Sequence, residues 1–412
     1  MQKVFALVAL LPLLATAAPT ESFSGLRIPL SKRASSIATN GVVNAAVLQS
    51  QVEKLKSKLS QGFEAYKKNT GSVHPADTGS FTLAKRSTGS VPLIDDEGGS
   101  LWHGSISVGT PAVTYTVDFD TGSSDLFLPG SNCKSTCNGH TKYDPSKSST
   151  SADRSKTFSL AYGDGSTVSG EQYTDTVTLG GLTATKQVLG AAKQYSSGFE
   201  SSQFPPDGLL GMGFQSISVY NSNPVFQSLI AQGKTTSPEF SFKLSSSGSE
   251  LFVGGVDSSL AKGSTTYVPV TQQGYWQVNL DSLTVNNKKV ASSLSAIIDT
   301  GTTLIIGDSA SVKAFYAAIP GSKDASQTIG QGYYTIPCNS VPTPSLTFGG
   351  TTFAVSPSVF NLGQLQAGSS DCVGGINAVD GLGFWVVGDV FLQNVLTTFD
   401  VGNARVGFAT LA

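Results

Sequence analysis

An internal repeat constrains the fold of this chain more than any other feature of its sequence. The tripeptide Asp-Thr-Gly occurs at Asp120–Gly122 and again at Asp299–Gly301, each time after an apolar stretch. A second motif, Leu209–Gly211, follows the first copy at nearly the same distance as Val386–Gly388 follows the second. Two motifs that recur with nearly equal spacing indicate a duplicated half-molecule. We therefore expect two similar lobes related by a pseudo-twofold axis, with Asp120 and Asp299 facing each other at that axis.

The composition favours a turn-rich fold dominated by β-strands. Charged residues are 13% of the 412 residues, against about 25% in an average soluble protein. Because a nucleic-acid-binding protein needs clustered Lys and Arg, the low charge argues against that class. Glycine is abundant, with 45 residues, and the length allows two large lobes. The predicted fold class is all-β, with two lobes and a cleft between them.

Residues 1–17 have the pattern of a signal peptide. Lys3 precedes an apolar run from Val4 to Leu14, and Ala15-Thr16-Ala17 is a small-x-small cleavage site. The run is shorter than the roughly 20 residues that a membrane span needs. We therefore expect a secreted, extracellular protein without a membrane anchor, and an acidic vacuolar compartment is the alternative location.

A basic segment, residues 18–86, follows the signal peptide and precedes an acidic body. Apolar residues recur in it at steps of three and four, which predicts an amphipathic helix over 45–68 with lysines on its remaining surface. The apolar positions are Leu48, Val52, Leu55, Leu59, Phe63 and Tyr66, and the lysines are Lys54, Lys56, Lys58, Lys67 and Lys68. The composition changes at the dibasic pair Lys85-Arg86, which we interpret as a processing site; Lys32-Arg33 is a second dibasic pair. The predicted lobes are then 87–262 and 263–412.

Two facing carboxylates predict a particular chemistry. Carboxyl groups about 3 Å apart cannot both ionise cheaply, so such a pair shares one proton and titrates in two steps. One group then acts as an acid and the other as a base, and a water between them can attack a carbonyl group. This reaction needs no cofactor, no metal and no covalent intermediate. Glycoside hydrolysis also uses two carboxylates, but it needs a wider gap and no symmetric pair of loops.

The sequence around both motifs resembles the pepsin-like aspartic proteases (family A1), in the precursor form of a secreted fungal-type member. The matching stretches are Asp118–Ser124, Tyr162–Ser166, Ile298–Thr303 and Phe399–Asn403, and the similarity covers residues 87–412. The resemblance implies a bilobed β fold and an endopeptidase that acts at acidic pH and prefers bulky hydrophobic residues around the scissile bond. Its partners would be protein or peptide substrates, pepstatin-type inhibitors and its own prosegment, and we expect a monomer that binds no nucleic acid. A non-catalytic binding protein on this fold would be expected to lose Asp120, Asp299 or Tyr162.

The resemblance also assigns roles to individual positions. Asp120 and Asp299 would be the catalytic pair. Hydroxyl groups on both loops would support them: Thr121 and Thr300 by joining the loops, Ser123 and Thr302 by donating to the outer carboxylate oxygens. Tyr162 would lie at the tip of a hairpin flap, where a glycine bends easily. The other predicted substrate-binding residues are Gly122, Gly163, Asp164, Gly301, Thr303 and Asp118.

Two departures from the family pattern bear on the flap. Phe127 stands where the family usually has Trp, and because Phe has no N–H donor, Tyr162 needs another partner, a water or a more mobile flap. Asp164 resembles an acidic flap residue of some fungal members. We hypothesise that Asp164, aided by Asp118, lets the enzyme accept Lys just before the scissile bond. The alternative is that both are solvated turn carboxylates.

The basic segment has a predicted role as an inhibitory prosegment of a zymogen. Its charge would hold it across the acidic cleft, with a lysine near the two Asp residues, until low pH protonates the carboxylates and weakens the attraction. The alternative is that the segment aids folding only.

The cysteines predict disulfides rather than a metal site. Four cysteines allow three pairings, and secretion favours disulfides. We expect Cys133–Cys137 and Cys338–Cys372, because each pair then stays within one lobe; the resemblance implies the same pairing. A zinc site at the first pair would need two further ligands at spacings that the sequence lacks. His103 and His140 fit exposed loop positions better than a nucleophilic triad.

Overall fold

The structure is a computed structural model that describes residues 25–32, 37–79, 102–161, 166–245 and 248–412. Three sets of predicted residues lie outside this described part: the signal peptide, the processing residues Lys85 and Arg86, and the flap residues Tyr162, Gly163 and Asp164. Within it, strands predominate over helices, which confirms the predicted all-β class for the two lobes.

The segment before residue 102 contributes three strands and one long helix. They are β1 (Leu26–Lys32), β2 (Ala38–Thr39), β3 (Val42–Val43) and α1 (Ala45–Thr70). Strand β1 adds to the sheets of the body, and β2 and β3 form a small hairpin beside the C-terminal lobe.

The N-terminal lobe consists mainly of antiparallel strands. They are β4 (Trp102–Val108), β5 (Val113–Asp120), β6 (Leu126–Pro129), β7 (Ala152–Ala161), β8 (Thr167–Leu179), β9 (Leu182–Tyr195), β10 (Gly208–Gly211), β11 (Glu239–Lys243) and β12 (Ser249–Val253), with the helix α2 (Val225–Ala231).

The C-terminal lobe repeats this organisation with shorter strands. They are β13 (Ala261–Gln272), β14 (Gln277–Val285), β15 (Lys288–Ile298), β16 (Ile305–Gly307), β17 (Lys323–Asp324), β18 (Tyr334–Pro337), β19 (Ser345–Phe348), β20 (Thr351–Ala354), β21 (Asn361–Gln364), β22 (Asp371–Gly374), β23 (Ile376–Ala378), β24 (Trp385–Val387), β25 (Val395–Asp400) and β26 (Arg405–Leu411). The helices are α3 (Ser309–Ala317), α4 (Pro357–Phe360) and α5 (Asp389–Leu392).

The two lobes share one strand arrangement around the repeated motifs. In the N-terminal lobe, β10 pairs in parallel with β5 and antiparallel with β6. In the C-terminal lobe, β24 pairs in parallel with β15 and antiparallel with β16. Each Asp-Thr-Gly loop therefore leaves a strand that pairs with the second motif of the same lobe, which confirms the duplication predicted from the sequence.

The second motif ends in glycine in both lobes because the Asp-Thr-Gly loop passes directly over it. A Cβ atom on Gly211 would lie 2.4 Å from the backbone nitrogen of Ser124. A Cβ atom on Gly388 would lie 2.0 Å from the carbonyl oxygen of Thr302. No side chain fits at either position. Packing therefore requires the glycine that ends both Leu209–Gly211 and Val386–Gly388.

A sheet built from both halves joins the lobes. Strand β11 pairs with β25, β25 pairs with β26, and β13 pairs with β26. Stacked and edge-on aromatic rings fill the core beneath this sheet; Phe240 and Phe399 stack with centroids 5.0 Å apart, and Trp276 lies 5.1 Å from Phe399. The boundary predicted between residues 262 and 263 falls inside β13, a strand of this shared sheet.

Helix α1 forms where the apolar periodicity predicts a helix. The side-chain oxygen of Asn44 accepts hydrogen bonds from the N–H groups of Ala46 and Val47 at its start, and Gly71 ends it in a left-handed conformation with φ 77°. The apolar positions are all buried, from Leu48 (0% exposed) to Tyr66 (9% exposed). The helix therefore packs along its whole length against the body.

Both expected disulfides are present, Cys133–Cys137 and Cys338–Cys372. Because the first pair is covalently bonded, the zinc alternative is wrong. The expectation that the body histidines are exposed loop residues is also wrong. His140 is 8% exposed and its Nε2 lies 2.9 Å from the carbonyl oxygen of Phe199, and His103 lies within β4.

Candidate active site

The two Asp-Thr-Gly loops meet at the interface between the lobes. Asp120 is the last residue of β5, and Asp299 follows the last residue of β15. Each loop reaches the carboxylate of the other at a glycine: a Cβ atom on Gly122 would lie 2.5 Å from an oxygen of Asp299, and one on Gly301 would lie 2.2 Å from an oxygen of Asp120. The third residue of each motif is thus glycine because the carboxylates approach so closely.

Reciprocal hydrogen bonds between two threonines hold the loops together. The N–H of Thr121 donates to Oγ1 of Thr300 at 3.1 Å, and the N–H of Thr300 donates to Oγ1 of Thr121 at 3.0 Å. The two hydroxyl groups in turn donate across the interface, from Thr121 to the carbonyl of Ile298 and from Thr300 to the carbonyl of Phe119. The N–H and hydroxyl groups of both buried threonines thus have partners across the interface, and these bonds fix the distance between the loops.

Each carboxylate is oriented by two donors from its own loop. Asp120 accepts from the N–H of Gly122 at 2.9 Å and from the hydroxyl of Ser123 at 2.6 Å. Asp299 accepts from the N–H of Gly301 at 3.0 Å and from the hydroxyl of Thr302 at 2.6 Å. The donors match between the lobes, and both carboxylates are about 1% exposed.

A lysine from helix α1 bridges the two carboxylates. Nζ of Lys58 donates to Asp120 at 3.1 Å and to Asp299 at 2.6 Å, and its side chain is 10% exposed. Burial alone would lower the pKa of Lys58, but the attraction of Asp120 and Asp299 outweighs burial and raises it. The ammonium therefore stays charged and covers the space between the carboxylates.

The two carboxylates have different affinities for a proton. Burial opposes the ionisation of Asp120, yet the Lys58 ammonium and the Ser123 hydroxyl hold its pKa below the ordinary value. Burial raises the pKa of Asp299 above its ordinary value, as does Asp120, against the attraction of Lys58. Such a separation of the two pKa values is expected for adjacent carboxylates, because both cannot be ionised at low cost.

Among the residues that the structure describes, two other predicted site residues, Asp118 and Thr303, are buried near this pair. Asp118 is 3% exposed in β5; burial and then Asp120 raise its pKa well above the ordinary value, against Lys58 and Lys54. Thr303 is buried behind its loop, and its carbonyl accepts a hydrogen bond from the N–H of Val390. A groove of about 1410 Å³ runs beside α1, and Asp118 and Asp120 line it.

An apolar cavity of about 40 Å³ adjoins Lys58 and the first loop. The ring of Phe127 is fully buried beside it and packs edge-on against Tyr195 and Phe199 at centroid distances of 5.9 and 5.7 Å. The apolar residues that line the cavity are Phe127, Leu160, Leu209, Ile217 and Val219. The space beside the first Asp-Thr-Gly loop therefore has a largely apolar wall.

Sequence reasoning placed a lysine near the carboxylates but counted Lys58 among the lysines on the helix surface. It also missed Tyr275, whose hydroxyl donates to the carbonyl of Leu59 at 3.1 Å. A Cβ atom on Gly62 would lie 1.8 Å from that hydroxyl oxygen, so the tyrosine reaches the helix backbone only because residue 62 is glycine. A glycine within a helical pattern was the available sign of this close approach.

We expect Thr300→Val to destabilise the protein and to lower its activity. The change leaves the N–H of Thr121 and the carbonyl of Phe119 buried without partners, and each such group costs about 1–3 kcal/mol. The free energy of unfolding, measured by urea denaturation, should fall by that order. The matched control is Thr347→Val, because the hydroxyl of Thr347 contacts only Thr352 on the surface. Equal losses in the two variants would contradict the structural role of Thr300.

The fold and the site together define an aspartic-type endopeptidase with two duplicated lobes. The chain belongs to the eukaryotic aspartyl protease family, whose family model matches residues 102–411. It is 46% identical over 405 residues to an aspartic protease of Phaffia rhodozyma, covering 97% of this chain and 94% of that protein. It is also 36% identical over 389 residues to rhizopuspepsin-1 of Rhizopus niveus (92% and 96% covered) and 35% identical over 367 residues to pepsin A of Bos taurus (86% and 94% covered).

As a member of this family, the protein hydrolyses peptide bonds and acts on peptide substrates, and pepstatin-type compounds inhibit such enzymes. Among the residues that the structure describes, no helix combines the length and the apolar character needed to span a bilayer.

Proposed function

We propose that Asp120 and Asp299 are the catalytic pair and that they activate a water for attack on the substrate carbonyl. One carboxylate takes a proton from this water as its oxygen bonds to the carbonyl carbon, and the protonated carboxyl gives its proton to the carbonyl oxygen. A proton then passes to the amide nitrogen, the C–N bond breaks, and an acid and an amine leave. The observation that carries this proposal is the bridging of both carboxylates by one Lys58 ammonium.

The pair works only while one carboxyl holds a proton and the other is ionised. Since adjacent carboxylates share a proton at acidic pH, we propose an acid endopeptidase. Inhibition by pepstatin tests the function directly: peptide cleavage at pH 3–6 should be abolished by pepstatin. Absence of cleavage by the processed protein at any pH in that range would contradict the proposal.

We further propose that the protein is made as a zymogen and that residues 18–86 are its prosegment. Helix α1 lies over the site, and Lys58 occupies the position between the carboxylates that the water needs. Tyrosines of the body hold the helix backbone at two points, Tyr275 at Leu59 and Tyr333 at Leu48. With the helix in place, no substrate carbonyl reaches Asp120 and Asp299.

Removal of this segment by cleavage at Lys85-Arg86 fits the same proposal, as do a signal peptide over residues 1–17 and release from the cell as a monomer. An acidic vacuolar compartment is the alternative destination. N-terminal sequencing of the protein from culture medium and from vacuoles distinguishes the two locations and gives the mature N-terminus.

For specificity, we propose bulky hydrophobic residues around the scissile bond, with Lys also accepted just before it. The cavity lined by Phe127, Leu160 and Ile217 supports the apolar preference. For Lys, the proposed partner is Asp164, with a contribution from Asp118. In the form covered by α1, burial raises the pKa of Asp118 well above the ordinary value, which limits the negative charge that this carboxyl supplies.

Asp164→Ala should lower kcat/KM for a substrate with Lys before the scissile bond and leave the matched Phe substrate almost unchanged. An exposed charge pair contributes up to about 1 kcal/mol, which corresponds to roughly a fivefold loss. The measurement compares two peptides that differ only at this residue. Undiminished cleavage after Lys in the variant would show that Asp164 is an ordinary turn carboxylate.

A further inference from the structure

His74 lies beyond the end of α1, where the chain leaves the helix, and its ring is completely buried (0% exposed). It packs against two rings of α1, Phe63 at 5.2 Å and Tyr66 at 4.7 Å between centroids. On the other side it packs against Tyr275 of the body at 5.7 Å. The imidazole therefore joins the C-terminal end of α1 to the C-terminal lobe.

The hydrogen bonds of His74 require a neutral ring. Its Nδ1 accepts from the N–H of Ala76 at 3.1 Å, so the single proton lies on Nε2. Among the described residues, Nε2 has no hydrogen-bond partner. The backbone of Gly274 packs closely on it, since a Cβ atom there would lie 3.0 Å from Nε2. A second proton would be added at Nδ1, where it would face the N–H of Ala76, and it would charge a ring that is surrounded by aromatic groups.

The groups that face His74 do little to stabilise an imidazolium. Asp77, in the same segment, is the charged residue that attracts it, and the helix and the body contribute Tyr66 and Tyr275. Burial lowers the pKa of His74 from 6.5 to about 4, against the attraction of Asp77. The pKa of Tyr275 is raised well above its ordinary value by burial, so this hydroxyl stays neutral.

The direction of the pH effect follows from these values. A ring that is exposed after undocking titrates near 6.5, whereas the docked ring titrates near 4. Neutral His74 therefore contributes its full stabilisation of the docked helix above pH 6.5, and this contribution is lost as the pH falls from 6.5 to 4.

The contact is coupled to the candidate active site through Tyr275. The same tyrosine that packs on His74 donates its hydroxyl to the carbonyl of Leu59, which is adjacent to Lys58. We propose that His74 is an acid-sensing residue: its protonation releases the C-terminal end of α1 from Tyr275 and thereby withdraws Lys58 from Asp120 and Asp299. This inference rests on the proposed inhibitory role of α1, and it makes release depend on an imidazole as well as on the carboxylates.

The test measures opening of the full-length precursor with a fluorescent pepstatin derivative at pH 3.5–7.5. This probe occupies the uncovered site and prevents self-cleavage, and binding to the processed enzyme at each pH corrects for the pH dependence of the site itself. We expect wild-type opening to rise between pH 6.5 and 4. His74→Asn, which keeps an acceptor for Ala76 but does not titrate, should lower the opening equilibrium at pH 4.5 on the order of 50- to 100-fold.

Asp77→Asn is a second variant, and its expected effect on the opening equilibrium is opposite to that of His74→Asn. Loss of its attraction makes the docked imidazolium less stable, so opening should increase below about pH 4, where the docked ring of the wild type becomes protonated, and this effect should vanish when His74 is already Asn. The matched control is His140→Gln, which retains a donor for the carbonyl of Phe199 and should leave the opening curve unchanged.

The outcomes separate the two proposals. If the wild-type precursor binds the probe at pH 7.5 as tightly as the processed enzyme, α1 is not inhibitory and both proposals fail. If wild-type opening depends on pH but both variants follow the wild-type curve, only the role of His74 is overturned. If His74→Asn is already open at pH 7.5, Asp77→Asn decides: greater opening than the wild type below about pH 4 supports the proposal, and an unchanged curve overturns it.

Discussion

Asp120→Asn should reduce kcat/KM toward a peptide substrate by about 10⁴-fold, the upper range for loss of a general acid or base. The amide keeps the shape of the side chain and accepts from the N–H of Gly122 through its oxygen while its nitrogen faces the Ser123 hydroxyl, but it neither takes a proton from water nor gives one to the carbonyl. The measurement uses processed protein at pH 3–6 with a quenched fluorescent peptide. Thermal unfolding of each variant checks that the fold is retained.

Because the two carboxylates act as one unit, Asp299→Asn should cause a loss of similar size, and the double variant should lose little more than either single variant. A matched control is Asp324→Asn, an exposed carboxylate that accepts from Ser326 in its own turn. If the effects of Asp120→Asn and Asp299→Asn multiply in the double variant, the two residues act independently and a shared water is the wrong mechanism.

Lys58→Met should convert the latent precursor into a partly open one, with at least about 100-fold stronger binding of a pepstatin-type probe near pH 6. The ammonium is buried and bonded to both carboxylates, and removal of one partner of a buried ion pair costs about 3–5 kcal/mol. Methionine fills the same space without the charge, so the change tests electrostatics rather than packing. Probe binding to the full-length precursor gives the size of the effect.

Lys56→Met is the matched control on the same helix. Its ammonium pairs with Glu53 at 3.0 Å, and both side chains are 36% exposed, so the pair is worth little. We expect this variant to remain as closed as the wild type. Equal opening of the two variants, or no opening of Lys58→Met, would mean that the apolar face of α1 holds the helix without help from the bridging lysine.

The architecture could be predicted from the sequence because the duplication repeats two short motifs at nearly the same spacing. Two copies of Asp-Thr-Gly, each followed by an apolar dipeptide and a glycine, fix which strands must lie together in each lobe, and the observed parallel pairs β5–β10 and β15–β24 confirm this. Helix α1 was equally predictable, since apolar residues at steps of three and four are typical of an amphipathic helix and of few other structures.

The contacts that involve single side chains from distant segments were not predictable. Lys58 was one of several lysines on the helix, and only the rotation of α1 on the body selects it to meet Asp120 and Asp299. His140 reads as a loop residue, yet it is buried against the Phe199 carbonyl. His74 lies in a polar stretch of sequence, and its aromatic surroundings come from α1 and from residue 275.

The sequence by itself determined the class of fold, the duplicated loops and the pair of acidic residues, because these depend on local patterns that repeat within the chain. The tertiary structure decided which lysine bridges the two carboxylates, which tyrosine bonds to the helix backbone and which histidine is buried away from solvent. Those choices depend on how the helix packs on a surface formed by residues 62 to 285 positions away, and no local pattern encodes that packing.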